Sequence, residues 1–252
     1  MTDLQGYTAL VTGASAGIGE AIARRLAADG ARLLVHGRDE QRTRRVAEAL
    51  DAELIVADLA EASGLDAVLA AIEAVGTLDV LVNNAGFEEP ATVDQLDPRI
   101  LERMFRINVF APVELIRRSL PQLQRSGRGS IINVTSIHES VPVAGNSGYA
   151  TTKAALAAYT RTAAVELGPR GIRINNLAPG AIRTAMNEHL IDEIGAERFG
   201  RWIPAGRVGA VDDVAGAASF LAGPDSRYIS GTTVTVDGAY SNHLVRYEPD
   251  PG

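Results

Sequence analysis

The chain contains no cysteine, which excludes disulfides, thiolate metal sites and cysteine nucleophiles together. It also lacks any unbroken apolar run of the length that a membrane helix requires. The opening Met1-Thr2-Asp3-Leu4-Gln5-Gly6 has no basic stretch followed by an apolar one, so no signal peptide is expected. Basic residues are nowhere concentrated beyond Arg24-Arg25 and the run from Arg42 to Arg45, and the net charge is −7, which argues against a nucleic-acid partner. His36, His189 and His243 are scattered, so no metal site is expected. What remains is 252 residues, 46% apolar and 22% charged, enough for one large α/β domain or two small ones. A cytoplasmic enzyme or binding protein acting on a small molecule fits these bounds.

Short apolar runs alternate with longer helical patterns along nearly the whole chain. Strands are expected at Ala9–Thr12, Arg32–His36, Glu53–Ala57, Val80–Asn83, Ser130–Thr135, Ile172–Ala178 and Thr233–Val236. Helical periodicity falls at 18–29, 39–50, 62–75, 98–125, 149–168 and 211–222. Strand followed by helix, repeated in this way, specifies a parallel sheet covered on both faces, with ligand at the carboxyl ends of the strands. No composition break divides residues 1–252, so a single domain is expected. The stretch 183–209 breaks the alternation and reads as a lid over a substrate, with Phe199 and Trp202 as its aromatics. The polar stretch 241–252 reads as a tail.

Two motifs carry chemistry. "VTGASAGIGEAIARRLA" follows the first expected strand and opens a helix, with Gly13, Gly17 and Gly19 spaced for a tight turn. Such a loop brings a pyrophosphate against free amides at a helix N-terminus, and its place in the first strand-to-helix turn favours a dinucleotide over a plain turn. "YATTK" then places Tyr149 and Lys153 one helical turn apart. Hydride transfer to a ketone needs a proton donor, and alcohol oxidation needs the reverse. A phenol is a poor base near neutrality, and an adjacent ammonium would lower its pKa. Alone, the pair would fit a half-buried helix face equally well.

"TGASAGIG" (12–19), "NNAG" (83–86), Asn108, Ser136, "YATTK" (149–153) and "PGAIRT" (179–184) together resemble short-chain dehydrogenases/reductases of the classical type, over about residues 5 to 240. "SIHESVP" (136–142) and "PGAIRTAMN" (179–187) look most like the glucose 1-dehydrogenase branch, with the 3-oxoacyl-carrier-protein reductases second. The resemblance implies a single-domain Rossmann fold with a doubly wound seven-stranded parallel sheet, commonly a homotetramer, with a homodimer as the smaller form. It implies Asn108, Ser136, Tyr149 and Lys153 as the catalytic set. Ser136 would polarise the substrate oxygen, Lys153 would also bond the nicotinamide ribose, and Asn108 would hold a water against the lysine. For the cofactor it implies Gly13, Ser15, Gly17, Ile18 and Gly19 at the diphosphate and Asp58 with the Leu59 backbone at the adenine. Asn84, Ala85 and Gly86 would line the adenosine ribose side. Pro179, Gly180, Ile182 and Thr184 would shape the nicotinamide and diphosphate side.

Cofactor choice turns on "LLVHGRDE". Gly37 stands where an acidic residue would bind a free 2′-hydroxyl, and Arg38 follows, able to grip a 2′-phosphate. NADP(H) is favoured and NAD(H) is possible, because Ala16 is not basic and Asp39 and Glu40 lie close. On the substrate side, His138 and Glu139 would bond hydroxyl groups of a sugar or polyol, joined by Asn146 and Met186; Glu88 and Glu89 could touch a polar substrate too, but read first as a solvated acidic loop. The function expected is interconversion of a secondary alcohol and its carbonyl. A 3-oxoacyl-carrier-protein reductase is the alternative, with Arg125, Arg128 and Arg170 as a docking rim. A non-catalytic dinucleotide-binding regulator would not need the proton-transfer set. A sugar-nucleotide epimerase or dehydratase would carry a larger C-terminal domain and another glycine spacing.

Overall fold

The computed structural model describes residues 2–185 and 188–243. Among them, seven strands form one parallel sheet: β1 (Thr8–Val11), β2 (Arg32–Gly37), β3 (Glu53–Val56), β4 (Val80–Asn83), β5 (Ser130–Val134), β6 (Arg173–Pro179) and β7 (Thr233–Val236). Their order is β3-β2-β1-β4-β5-β6-β7. The expected strands are all present, with ends displaced by at most one residue. The order reverses between β1 and β4, which leaves a crevice at their carboxyl ends, where ligands bind in such sheets.

Helices cover both faces: α1 (Gly17–Ala28), α2 (Glu40–Ala49), α3 (Ala62–Val75), α4 (Pro98–Phe105), α5 (Ala111–Ser126), α6 (Ser147–Leu167), α7 (Glu188–Ile194), α8 (Ala196–Gly200) and α9 (Val211–Ala222). Alternate strand residues point to opposite faces. Val11, Val35, Val82 and Ile132 pack with Ile22, Leu26, Val214 and Leu221 of α1 and α9. Leu10, Leu34, Leu81 and Ile131 pack with Val68, Ile72, Leu115 and Ile116 of α3 and α5. Strands buried on both sides read as continuous apolar runs, which is why they are legible in the sequence.

One expected element differs. The helix expected over 98–125 is interrupted by a π-helical turn at Arg106–Phe110. The Ala111 amide donates five residues back, to Arg106 O. Pro112 explains the break: it has no N–H to give the Asn108 carbonyl, its partner in an uninterrupted α-helix. The interruption lies at Asn108, one of the expected catalytic residues.

Candidate active site

The phosphate side is built from glycines that cannot be replaced. Gly17 has φ of +60°, and a Cβ there would lie 3.6 Å from Thr184 Cγ2, so the loop and the 179–184 segment close on one cradle. A Cβ on Gly19 would lie 2.3 Å from Gly13 O, and one on Gly13 would lie 2.8 Å from Ala85 Cα. The "NNAG" turn therefore seats directly on the glycine loop. Thr12 Oγ1 accepts from the Asn84 and Ala85 amides at 3.0 Å each, and Asn84 Nδ2 donates to Thr12 O and Gly13 O. Ala16 caps α1 without a side-chain hydrogen bond, leaving first-turn amides and the positive end of the helix dipole for an anion. Ser15 and Ile18 lie in this loop. These features fit a dinucleotide diphosphate.

His36, scattered by sequence, is buried beneath this loop. Its Nδ1 accepts from the Gly13 amide at 3.3 Å, and its Nε2 lies 3.1 Å from Ala57 O. Burial lowers its pKa to about 4, against smaller opposing effects of the Ala57 carbonyl and Asp58. The signal available in the sequence is its position, one residue before Gly37 at the end of β2.

On the adenosine side, packing as well as charge bears on Gly37. A Cβ there would lie 2.3 Å from Thr43 Oγ1, on a fully buried threonine, and 3.0 Å from Ser15 Cβ. Its lack of a side chain is thus required by packing, whatever the cofactor. Arg38 is exposed, with Nη1 3.8 Å from Asp58 Oδ2, while Asp58 Oδ1 accepts from the Ala60 amide at 2.9 Å. Asp39 caps α2 by accepting from the Arg42 amide at 2.9 Å, and Glu40 pairs with Arg44 at 2.7 Å. Both carboxylates are committed to α2 rather than to the crevice. Leu59 is buried in the core. Gly180 donates to Val236 O at 3.0 Å next to Pro179, and Ile182 is buried and bridged to Gly209.

At the carboxyl ends of β4 and β5, the four expected catalytic residues converge. Ser136 follows β5, and its hydroxyl is near enough to the Tyr149 phenol to counter part of the rise in the phenol's pKa. Lys153 is buried and donates from Nζ to Val134 O at 2.9 Å, 5.4 Å from the Tyr149 ring centroid. Asn108 Oδ1 accepts from the Phe87 amide, and its Nδ2 donates to Phe87 O, both at 2.8 Å, and to Thr152 Oγ1 at 3.0 Å. A Cβ on Gly86 would lie 3.6 Å from Asn108 Oδ1 and 3.7 Å from Lys153 Nζ, so Gly86 is the joint between these groups.

The electrostatics depart from the expected lowering of the phenol. Burial of its hydroxyl raises the Tyr149 pKa above its ordinary value, the charge of Glu88 adds to this, and the Ser136 hydroxyl opposes it. Burial lowers Lys153 to about 8, while Glu88 and Glu139 push it back up. Desolvation is the largest influence on the phenol.

The substrate side rearranges the tentative residues. His138 Nδ1 lies 3.0 Å from Val141 O, and Glu139 Oε1 accepts from Thr233 Oγ1 at 2.8 Å. Asn146 instead donates to Glu88, which is partly buried rather than solvated. Met186 lies outside the described residues. Arg125 donates to Gly76 O, Arg128 pairs with Asp79 at 2.7 Å, and Arg170 precedes β6. All three therefore sit by the amino ends of strands, opposite the crevice, and form no rim around it.

Residues 13–241 match the family model described as enoyl-(acyl carrier protein) reductase. A 3β-hydroxysteroid dehydrogenase of Eggerthella lenta is 38% identical over 245 residues, covering 94% of each chain. The chain belongs to the short-chain dehydrogenase/reductase family. A 2,5-dichloro-2,5-cyclohexadiene-1,4-diol dehydrogenase of Sphingobium indicum is 34% identical, over 94% of this chain and 97% of that one. A solved structure of gluconate 5-dehydrogenase from Burkholderia cenocepacia, in complex with NADP and tartrate, superposes with a TM-score of 0.90 at 33% identity. The match covers 96% of this chain and 98% of that one. Family membership makes the chain an oxidoreductase. No helix among the described residues is long and apolar enough to cross a membrane.

Proposed function

We propose that this enzyme uses NADP(H) to interconvert a secondary alcohol (a sugar, polyol or other hydroxy compound) and its carbonyl, with Tyr149 as acid/base. The observation that carries this reading is the gathering of buried Ser136, Asn108 and Lys153 around Tyr149, with Lys153 Nζ held on Val134 O at the end of β5. When bound, the nicotinamide supplies the hydride acceptor or donor. In oxidation, Tyr149 takes the hydroxyl proton as the hydride leaves the carbinol carbon, and Ser136 holds the substrate oxygen. Lys153 favours the phenolate and, with Asn108, passes the proton toward solvent. Gly13, Ser15, Gly17, Ile18 and Gly19 would hold the diphosphate, and Asp58 and Leu59 the adenine. Asn84, Ala85 and Gly86 would line the ribose, with Pro179, Gly180, Ile182 and Thr184 at the nicotinamide. Arg38 would hold the 2′-phosphate, a role that the commitment of Asp39 and Glu40 to α2 supports. NAD(H) is the weaker cofactor in this reading.

Residues 1–252 act as one catalytic domain in the same reading, cytoplasmic and assembled as a homotetramer or homodimer. The stretch 183–209 is its lid; Phe199 stacks on Trp202 at 5.3 Å and on Tyr240 at 6.2 Å, which fastens it beside β7. A second reading, a 3-oxoacyl-carrier-protein reductase, draws on the carrier protein in the family model's description and is opposed by the position of the three arginines. The relatives are named for a 3β-hydroxysteroid, a chlorinated cyclohexadienediol and gluconate, all of them hydroxy compounds. Spectrophotometric NADP+- and NADPH-linked assays against sugars, secondary alcohols, diketones and 3-oxoacyl thioesters test the reading. Failure of every class to turn over would overturn it.

A further inference from the structure

Glu88 follows Phe87, whose backbone amide and carbonyl are both clamped by the Asn108 side chain. Its carboxylate is held by the amide of Asn146, the residue that caps α6 one turn before Tyr149. The backbones are tied as well: the Ala91 amide donates to Gly145 O at 2.8 Å, and Ala91 bridges Asn146. The partner of this carboxylate is thus a neutral amide rather than a cation, and its position is fixed from both sides. Its negative charge reaches Tyr149 and Lys153 alike, and that of Glu139, anchored on Thr233, reaches Lys153. Lys153 donates to Val134 O and carries the field of both carboxylates, and Arg103 lies over the Phe87 ring at 4.8 Å.

We propose that Glu88, positioned by Asn146, sets the charge of the substrate: the site accepts uncharged secondary alcohols and their ketones and turns away compounds carrying a carboxylate near the reacting carbon. This rests on the oxidoreductase reading above and narrows it to a substrate class. A like charge placed beside a fixed, partly buried carboxylate is disfavoured both in encounter and in the bound state, and a low local dielectric enlarges the penalty. An uncharged hydroxyl neighbour meets no such penalty and can donate to the same carboxylate.

The test uses two compounds of matched shape, cis-cyclohexane-1,2-diol and cis-2-hydroxycyclohexane-1-carboxylate. Calorimetric affinity for the NADP+-loaded enzyme and kcat/KM are both measured for each compound. The wild type should favour the diol at least about tenfold in each, and Glu88→Gln should narrow the ratio by about three- to tenfold. Any effect of that substitution on the Tyr149 proton is common to both compounds and cancels in the ratio. Added salt should narrow the wild-type ratio too, which tests the charge effect without a variant that must fold. Equal affinity for the two, preference for the carboxylate, binding of neither, or a ratio unchanged by both Glu88→Gln and salt would overturn the proposal. Preferential binding of the diol with no turnover of either compound would uphold charge selection and rule out simple secondary alcohols of this kind as the substrate in the reading above.

Discussion

The Gly13 amide donates to Nδ1 of His36 at 3.3 Å, so the ring's proton sits on Nε2, from which it bonds the Ala57 carbonyl. One neutral imidazole therefore ties the phosphate loop after β1 to the end of β3, next to Asp58. Its pKa lies at about 4, below the 6.5 of an exposed histidine. The native state then binds fewer protons than the unfolded chain between those values. The stability this group contributes is full above the higher value and is lost as pH falls toward the lower, about 3 kcal/mol in all. Urea unfolding of wild type and His36→Asn at both ends of that range should show a steeper acid loss in the wild type. The variant should also bind NADPH more weakly at neutral pH, and parallel acid losses would contradict this account.

The cofactor-selecting loop gives two separable expectations. Arg38→Leu should lower the NADP(H)/NAD(H) ratio of kcat/KM about tenfold, because one charge-assisted contact to a 2′-phosphate is removed. Gly37→Ala should instead lower the urea midpoint by the equivalent of about 1–3 kcal/mol, since the new methyl group collides with buried Thr43. An unchanged ratio in the first variant would place Arg38 in solvent. Unchanged stability in the second would show that Thr43 yields.

The raised pKa of Tyr149 fixes the sign of the pH dependence. Alcohol oxidation needs the phenolate and should accelerate with pH well beyond neutrality, whereas carbonyl reduction needs the phenol, which the raised pKa keeps protonated, and should hold its rate over the same range. Initial rates in both directions across the alkaline range check this. Parallel profiles would mean that another group moves the proton.

Much of the sheet was legible because each strand is an apolar run flanked by turn residues, and the glycine loop because its spacing is local. The residues that the sequence misjudged depend on partners far away in the chain. Glu88 reads as a solvated loop acid until Asn146 is brought to it, 58 residues on. His36 reads as a stray histidine until Gly13 lies over it. Gly37 reads as a missing acid until Thr43 packs against it. The π-turn at Asn108 had a local signal in Pro112, masked by an otherwise continuous helical periodicity.

Assembly is testable from the long helices. Val109 and Ala157 are buried within the chain, while Phe110 and Val165 stand 55% and 78% exposed. Exposed apolar side chains of this size on α6 and the π-turn suit a helix-on-helix interface. Light scattering should give a mass well above the 26.5 kDa of one chain, and Val165→Glu should reduce it. A monomeric wild type would contradict the assembly.

Tyr149→Phe tests the central claim most directly, because the ring keeps its packing while the transferable proton is removed. NADPH binding, followed by its fluorescence, should stay within about threefold of wild type while turnover of the identified alcohol falls at least ~10²-fold. Wild-type turnover in a variant that binds NADPH normally would contradict the assignment of Tyr149 as the acid/base.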